Sequence, residues 1–274
     1  MVIYNSHETS TGNLTLAKGN QIKVQVGDNW YKADLYGYEG AAEIAVADLL
    51  KQSNITNIVS FAEYDYEKIT LNEYKYNGCV SKDFTNGKDI VTLDEFIKKV
   101  TGKTPAEYFR KMTPTEAIKD TVNLVEKHTG ITNFGQYLTA MFELDRFVYN
   151  EDRHFNNIAL LRDGNNFELC PIFDNGASFL SDTNVYCETE KIGRLRNSVK
   201  SKPFSSSFDK QVNICRELYG PQLIFDKDLS LSPDVEYDIA TRYGDRILER
   251  IQNTIEYSKN MCSEMLKDSE ELER

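Results

Sequence analysis

The hydrophobic pattern of this chain changes near residue 84, and that change constrains the fold more than any other feature. Residues 21–36 alternate apolar and polar side chains around a Gly-Asp-Asn turn, which predicts a β-hairpin with one buried face. Residues 57–84 are rich in aromatic and aliphatic side chains that suit strands. Beyond residue 84 the apolar residues recur at helical spacing. The sequence therefore predicts an α+β protein with a small β-rich lobe, residues 1–84, and a larger helical lobe, residues 85–274.

Helical segments are predicted on both sides of this boundary. The segment YEGAAEIAVADLLKQSNI should form a helix that packs on the hairpin, and TLDEFIKKV, TPTEAIKDTVNLVEKHTG and NFGQYLTAMFELDRFVYN predict helices of the second lobe. Thr113 is placed to cap the TPTEAIKDTVNLVEKHTG helix, with Pro114 in its first turn and Glu116 completing a capping box. Ser232 and Pro233 give a similar start signal to a later helix.

Composition and charge exclude several classes of protein. A formal net charge of -11 argues against a protein that mainly grips a nucleic-acid backbone, which needs clustered lysine and arginine. Five cysteines, an odd number without a C-x-x-C pair, indicate reduced thiols. The N-terminal segment turns polar after four residues, and no apolar run reaches the roughly 18 residues that span a bilayer. We expect a cytoplasmic protein that is neither secreted nor inserted in a membrane.

The most informative segment is YNEDRHFNNIALLRDGNNFELCPIFDNGASFL. It begins at the end of an amphipathic helix and enters a polar loop that holds Asp152 and Asn157. Residues 158–161 and 167–172 then predict the two strands of a hairpin. Asp174 lies at the exit of the second strand. The hairpin is expected to bring these three polar residues to one end.

One Asp, one Asn and a further Asp are groups that phosphoryl transfer requires. Asp152 would accept or orient the substrate hydroxyl, Asn157 would offer an amide oxygen to Mg²⁺, and Asp174 would be the charged metal ligand. His154 is expected to brace the loop by hydrogen bonds. The competing interpretation is that Asp and Asn are the commonest loop residues. The combined pattern, a D-x-x-x-x-N loop, a hairpin and an Asp-x-Gly exit, favours the functional interpretation.

These residues also carry a family resemblance. Asn150, Asp152, His154 and Asn157 form N-x-D-x-H-x-x-N, which resembles the catalytic loop of HipA-type bacterial serine/threonine kinases. The Asp-Arg-His within it is similar to the D-R-H of phosphatidylinositol kinases, and PIFDNGASF resembles the HipA-type metal-binding segment. The resemblance implies a two-lobed protein-kinase-like fold with ATP and Mg²⁺ between the lobes.

The resemblance also implies a nucleotide site in the small lobe. Lys32, on the second strand of the hairpin, would face the phosphates, and Glu43 on the following helix would pair with it in preference to Glu39. The stretch where the chain leaves the small lobe would be the hinge that binds adenine, with the candidates Val80, Ser81 and Lys82. The alternatives are a solvated lysine on a strand edge and an ordinary linker.

A further phosphate-binding candidate is the hydroxyl-rich loop SHETSTGNLT, one strand before the hairpin. The backbone amides around Ser10, Thr11 and Gly12 would wrap phosphate oxygens as a nest. This loop carries neither G-x-G-x-x-G nor a Walker pattern, and the alternative is a polar, frayed N-terminus.

Two stretches are candidates for self-phosphorylation. HipA-type kinases modify a serine in the loop that corresponds to the first stretch, whose candidates are Ser6, Thr9, Ser10 and Thr11. The second stretch follows a basic run that would receive a phosphate dianion, and its candidates are Ser205, Ser206 and Ser207. The alternative is that both stretches are merely polar, flexible loops.

The leading hypothesis is a HipA-like kinase that phosphorylates serine or threonine of a protein, itself included. One alternative is a lipid or small-molecule kinase, since the catalytic loop reports the transferred phosphate better than its acceptor. Another is a catalytically silent nucleotide-binding regulator, against which the intact Asp152, Asn157 and Asp174 argue. An antitoxin-like or regulatory partner fits the resemblance, although no separate N-terminal docking module is recognisable.

Overall fold

A five-stranded β-sheet forms the first part of the molecule. The computed structural model describes residues 2–4, 22–71, 73–268 and 272. The strands of the sheet are β1 (Val2–Tyr4), β2 (Lys23–Val26), β3 (Asn29–Ala33), β4 (Asp65–Leu71) and β5 (Tyr74–Lys82). Their order is β1-β4-β5-β3-β2, with β1 parallel to β4 and the other neighbours antiparallel.

β2 and β3 form the predicted hairpin. Gly27 occupies the turn with φ +60, a conformation that glycine adopts at little cost. The register of the hairpin places Lys23 directly opposite Lys32. Directly opposed residues of an antiparallel pair share one face of a sheet, so both lysines lie on the same side of it.

The helix α1 (Glu39–Leu50) packs against this sheet at unusually close range, and all twelve of its residues are buried. A β-carbon on Gly40 would lie 2.8 Å from the backbone of Gly78 in β5, and one on Gly78 would lie 2.1 Å from the carbonyl oxygen of Lys32. Helix and sheet therefore meet backbone to backbone. This approach lets Glu43, one turn into the helix, reach Lys32.

The second part of the molecule is mainly helical. Its helices are α2 (Leu93–Thr101), α3 (Pro105–Tyr108), α4 (Pro114–Thr129), α5 (Phe134–Val148), α6 (Ile192–Leu195), α7 (Phe208–Tyr219), α8 (Pro233–Tyr243) and α9 (Asp245–Met261). A 3-10 turn, Ser263–Met265, and a short parallel pair, β9 (Phe225–Asp226) and β10 (Leu266–Lys267), follow these helices or lie between them, while another 3-10 turn, Ile55–Asn57, lies between α1 and β4. The core helix is α5, whose residues are nearly all buried and which packs against α4, α7 and α9.

The two strands that follow the polar loop belong to a three-stranded sheet, which differs from the predicted hairpin. Its strands are β6 (Asp89–Thr92), β7 (Ala159–Asp163) and β8 (Asn166–Leu169). β8 ends earlier than predicted because Ile172 leaves the hairpin and pairs instead with residues 60–62, donating to the Ser60 carbonyl and accepting from Ala62 N. The chain thereby crosses toward the first sheet just before Asp174.

Helix starts follow the sequence signals with one exception. The capping box of Thr113 and Glu116 is present, as predicted. α8 does begin at Pro233, but the Ser232 side chain makes no cap bond. Its hydroxyl donates to Asp48 Oδ1 at 3.0 Å instead, because this buried carboxylate of α1 needs donors.

The predicted α+β class is confirmed by this arrangement of sheet and helices. β5 ends at Lys82 and β6 begins at Asp89, while the division into lobes at residue 84 stays a prediction. Within the part of the chain that the structure describes, no helix is both long enough and apolar enough to cross a bilayer.

We expect Gly40→Ala to lower the free energy of unfolding by roughly 2 kcal/mol, because the new methyl group would lie 2.8 Å from the Gly78 backbone and push α1 away from β5. Gly193→Ala is the control, since its β-carbon would meet only ordinary contacts at 3.4 Å or more. Chemical denaturation measures both. Equal stabilities of the two variants would contradict the close packing of α1.

Candidate active site

Lys32 is the centre of a buried charge cluster. Its Nζ donates to Glu43 Oε1 at 2.5 Å, to Asp174 Oδ1 at 3.1 Å and to the Tyr64 hydroxyl at 3.2 Å. Burial alone would lower the pKa of Lys32, but the charges of Asp174 and Glu43 raise it well above its usual value. Lys32 is therefore a fixed cation at neutral pH.

Asp174 lies between two lysines. Its Oδ2 accepts a hydrogen bond from Lys23 Nζ at 2.6 Å, while its Oδ1 faces Lys32. Burial would raise the pKa of the Asp174 carboxyl, but Lys32 and Lys23 outweigh this and hold it well below its usual range. Sequence reasoning missed Lys23, although a two-residue turn at 27–28 already sets the register that pairs it with Lys32.

Glu43 and Glu39 have different hydrogen-bond partners. Glu43 is completely buried, and its second oxygen accepts from the backbone N–H of Asn175 at 2.8 Å. Glu39 instead accepts from the backbone amides of residues 35–37, at 2.8 to 3.1 Å, and so holds the turn before α1. Of the two carboxylates, the structure places Glu43 against Lys32.

The loop that carries Asp152 closes on itself. The carbonyl of Asp152 accepts from the backbone N–H of His154 at 2.8 Å and from Asn157 Nδ2 at 2.9 Å. The His154 side chain contributes less than its backbone: its Nε2 lies 3.7 Å from Asp152 Oδ2, and its buried Nδ1 has no hydrogen-bond partner among the described residues. The Asp152 carboxylate is 44% exposed, and its Oδ1 accepts from Lys202 Nζ at 2.8 Å.

Arg153 anchors this loop to α5. Its side chain is completely buried and forms an ion pair with Asp145 in α5, at 3.0 to 3.2 Å. The same guanidinium donates to the carbonyls of Asn157 and Phe173 and to Asn175 Oδ1. One side chain thus joins the loop to the segment that holds Asp174. Sequence reasoning passed over Arg153, although it stands in the middle of the D-R-H pattern.

The backbone at Asp174 is strained. Its φ is +60, a left-handed conformation that costs a non-glycine residue free energy. The next residue holds the turn in place, because Asn175 N donates to Glu43 and Asn175 Oδ1 accepts from Arg153. The surroundings therefore fix the direction of the Asp174 carboxylate.

The three polar residues singled out by the sequence meet at one cavity. Its volume is about 580 Å³, and Asp152, Asn157 and Asp174 all line it. His154 lines it as well. The other charged residues in its wall are Lys23, Glu39, Glu151, Asp182, Lys200 and Lys202.

The candidate hinge residues Val80, Ser81 and Lys82 are the last three residues of β5. Val80 pairs with Asp65, the first residue of β4, so Ser81 and Lys82 have no described strand on that side. None of these three residues lines the cavity that holds Asp152. The remaining nucleotide candidates, Ser10, Thr11 and Gly12, lie outside the described residues, as do the self-phosphorylation candidates Ser6 and Thr9.

The donor set suits Mg²⁺. Asn157 donates a hydrogen bond from Nδ2 to the Asp152 carbonyl, so its Oδ1 remains available as a metal ligand. Asp174 provides an ionised carboxylate. Mg²⁺ takes one or two protein oxygens together with water and substrate phosphates. Among the described residues no three His, Cys, Asp or Glu side chains cluster as a metal cage. An open, two-ligand site for a phosphate-bound ion is the arrangement that fits these residues.

Comparisons with known structures relate this geometry to a fold. The chain is similar to the proinflammatory kinase CtkA of Helicobacter pylori over 94% of both chains, with a TM-score of 0.58 and 16% sequence identity. It is also similar to HipA of Shewanella oneidensis MR-1, solved in a toxin–antitoxin complex with HipB and operator DNA, with a TM-score of 0.51 and 11% identity over 96% of this chain and 67% of that one. No family model matches the sequence, and neither does any curated protein. The chain has the HipA-like kinase fold, which confirms the predicted resemblance at the level of structure.

Replacing Arg153 should destabilise the protein strongly. We expect Arg153→Met to cost roughly 3 to 5 kcal/mol of unfolding free energy, because it leaves the buried carboxylate of Asp145 without its cation. Arg162→Met is the control: it breaks the exposed pair with Asp89 and should cost about 1 kcal/mol or less. Urea denaturation compares them.

A double variant separates the ion pair from general damage to the core. Asp145→Asn combined with Arg153→Met should cost clearly less than the sum of the single changes, because it no longer buries a lone charge. Strict additivity, or an Arg153→Met protein as stable as Arg162→Met, would contradict the anchoring role of Arg153.

Proposed function

We propose that this chain, with its HipA-like kinase fold, is an ATP- and Mg²⁺-dependent kinase that phosphorylates serine or threonine hydroxyls of a protein. The observation that carries the proposal is that Lys32, paired with Glu43, contacts Asp174, and that Asp174 lines a cavity that Asp152 lines as well. A fixed cation, an ionised metal ligand and an exposed carboxylate are three of the components that phosphoryl transfer uses.

On the nucleotide side, Lys32 would neutralise the ATP phosphates. Glu43 holds the ammonium group in place, so the lysine needs no rearrangement before it binds an anion. Mg²⁺ held by Asn157 and Asp174 would supply positive charge to the transferred phosphate. The backbone of Ser81 and Lys82 has no described strand beside it on the β4 side, so its polar groups would be available to adenine. The phosphate-wrapping loop of Ser10, Thr11 and Gly12 stays a prediction.

On the acceptor side, Asp152 would orient the attacking hydroxyl. The hydroxyl oxygen would form a bond to the γ-phosphorus while the bond to the ADP oxygen breaks, and the hydroxyl proton would pass to the Asp152 carboxylate. The bonds of Asn157 and His154 to its carbonyl, together with Arg153 beneath the loop, keep that carboxylate in position. His154 thus acts through its backbone as a positioning residue.

Self-phosphorylation in the second serine stretch would select Ser206. Residues 201–207 do not form the free loop that the sequence predicts, because hydrogen bonds tie them to α7. Ser205 Oγ accepts from Ser207 N, and Ser207 Oγ accepts from Lys210 N as the cap of α7. Ser206 is exposed, and its hydroxyl has no partner among the described residues. Phosphate added there would leave the cap intact.

A regulatory partner is a second part of the proposal. The similar HipA structure was solved together with HipB and operator DNA. A protein partner that controls access to the cleft would suit the present chain, whose charge of -11 disfavours a direct contact with DNA.

Substitutions at Asp174 and Asp152 should separate nucleotide binding from transfer. We expect Asp174→Ala to abolish Mg²⁺-dependent activity and to weaken Mg-ATP binding, because it removes the charged ligand. Asp152→Ala should keep Mg-ATP binding within about twofold yet lower transfer at least a hundredfold, because it removes only the group that orients the hydroxyl. Titration calorimetry and a transfer assay measure the two effects. Full turnover by either variant would disprove this site.

A lysine pair tests the nucleotide side. Lys32→Met should raise the KM for ATP or lower kcat at least tenfold, because the buried cation contacts Glu43 and Asp174. Lys51→Met is the matched control, since Lys51 forms only an exposed pair with Glu63. Steady-state kinetics on both variants decides the assignment. Indistinguishable kinetics would show that Lys32 does not bind the nucleotide.

A further inference from the structure

Two lysines that the proposed reaction does not yet use project toward the catalytic cavity. Lys200 and Lys202 both line it and flank Ser201, which is buried. Both lysines are exposed while Ser201 between them is buried, so Lys200 and Lys202 lie on the side of the segment that faces the cavity. Lys202 Nζ lies 2.8 Å from Asp152 Oδ1.

Gln211 in α7 holds this segment rigid. It is 1% exposed, and its Nε2 donates to Ser201 Oγ at 2.9 Å and to the Lys202 carbonyl at 2.8 Å. Its Oε1 accepts from the backbone N–H groups of Phe204 and Ser205. A single buried amide therefore positions the two lysines in advance, which lowers the entropy lost when they bind a ligand.

Of the charged residues described in the cavity wall, Lys200 is the one that has neither a hydrogen bond nor an ion pair. Each carboxylate there already accepts a hydrogen bond. Asp152 accepts from Lys202, and Asp174 accepts from two lysines. Glu39 accepts from the backbone of residues 35–37, Glu151 from Tyr186, and Asp182 from Asn184. Lys200, by contrast, has no hydrogen bond or ion pair among the described residues. Lys200 can therefore bind an acidic side chain without first breaking a hydrogen bond or an ion pair.

We propose that Lys200 and Lys202 form an acceptor clamp that recognises aspartate or glutamate side chains next to the hydroxyl residue of a protein substrate. The clamp rests on the proposed kinase function and specifies its substrate class. Lys202 already contacts Asp152, so an acidic side chain beside the reacting hydroxyl lies within its reach. When that acidic side chain replaces Asp152 as the partner of Lys202, Asp152 Oδ1 becomes free to accept a hydrogen bond from the substrate hydroxyl.

An extended polypeptide suits the surroundings better than an anionic lipid. Phe155 follows His154 of the catalytic loop, and Phe204 lies two residues after Lys202. Together with Phe109 these rings line a neighbouring groove of about 540 Å³. A chain that leaves the lysines can therefore continue over an apolar surface, whereas a net charge of -11 repels an anionic membrane.

The test uses two synthetic peptides that differ only in the residues flanking one serine, glutamate in the first and glutamine in the second. Fluorescence anisotropy without ATP measures their binding, and a transfer assay measures kcat and KM. We expect the wild-type protein to bind the acidic peptide about fivefold more tightly, and this preference to fall as salt is added. Lys200→Met and Lys202→Met should each reduce the preference about twofold to threefold.

Two further variants sharpen the comparison. Lys210→Met removes an exposed lysine of α7 that does not line the cavity, and it should keep the full preference. Gln211→Leu should reduce the preference while the KM for ATP stays unchanged, because it releases the segment without removing a charge. A role in folding alone would change both peptides equally.

Equal binding of the two peptides to the wild-type protein would overturn the clamp, even if both are phosphorylated. Tighter binding of anionic phosphoinositide vesicles than of the acidic peptide would overturn it as well. A preference in binding that the lysine variants lose would support the clamp even if no phosphate is transferred, and in that case the proposed kinase function would be wrong. The two failures are therefore distinguishable.

Discussion

The buried ion pair between Arg153 and Asp145 is the interaction on which the rest of the site depends. It fixes the loop that carries Asp152 to the core helix α5, and the same guanidinium holds Asn175. Asn175 in turn donates to Glu43, which holds Lys32. A continuous chain of charged hydrogen bonds therefore runs from the helical core to the first sheet, and each member is positioned by the one before it.

Such a network is costly unless every partner is present. Arg153 and Glu43 are completely buried, and removing one partner of a buried pair leaves an uncompensated charge. The network also maintains the left-handed backbone at Asp174. The site is thus organised before any ligand binds: the Lys32 cation is held, the Asp174 carboxylate is ionised, and the Asp152 carboxylate lies at the wall of the cavity.

Local signals in the sequence were enough to predict most elements and three of the polar residues that line the cavity. The turn at Gly27, the capping box of Thr113 and the hairpin after Asn157 all depend on neighbouring residues, so they can be recognised without knowledge of the fold. Contacts made across the molecule were not predictable in this way. Arg153 was passed over because its burial depends on α5, and the lysine at 202 reaches Asp152 from 50 residues away.

The most direct test of the account is transfer of labelled γ-phosphate from ATP in the presence of Mg²⁺. The protein itself, a generic protein acceptor and a phosphoinositide would be offered in parallel, with a metal-chelated reaction as the blank. We expect label on protein serine or threonine, dependent on Mg²⁺, and little on the lipid. Label on the lipid alone, or no transfer to any acceptor by a protein that binds Mg-ATP, would contradict it.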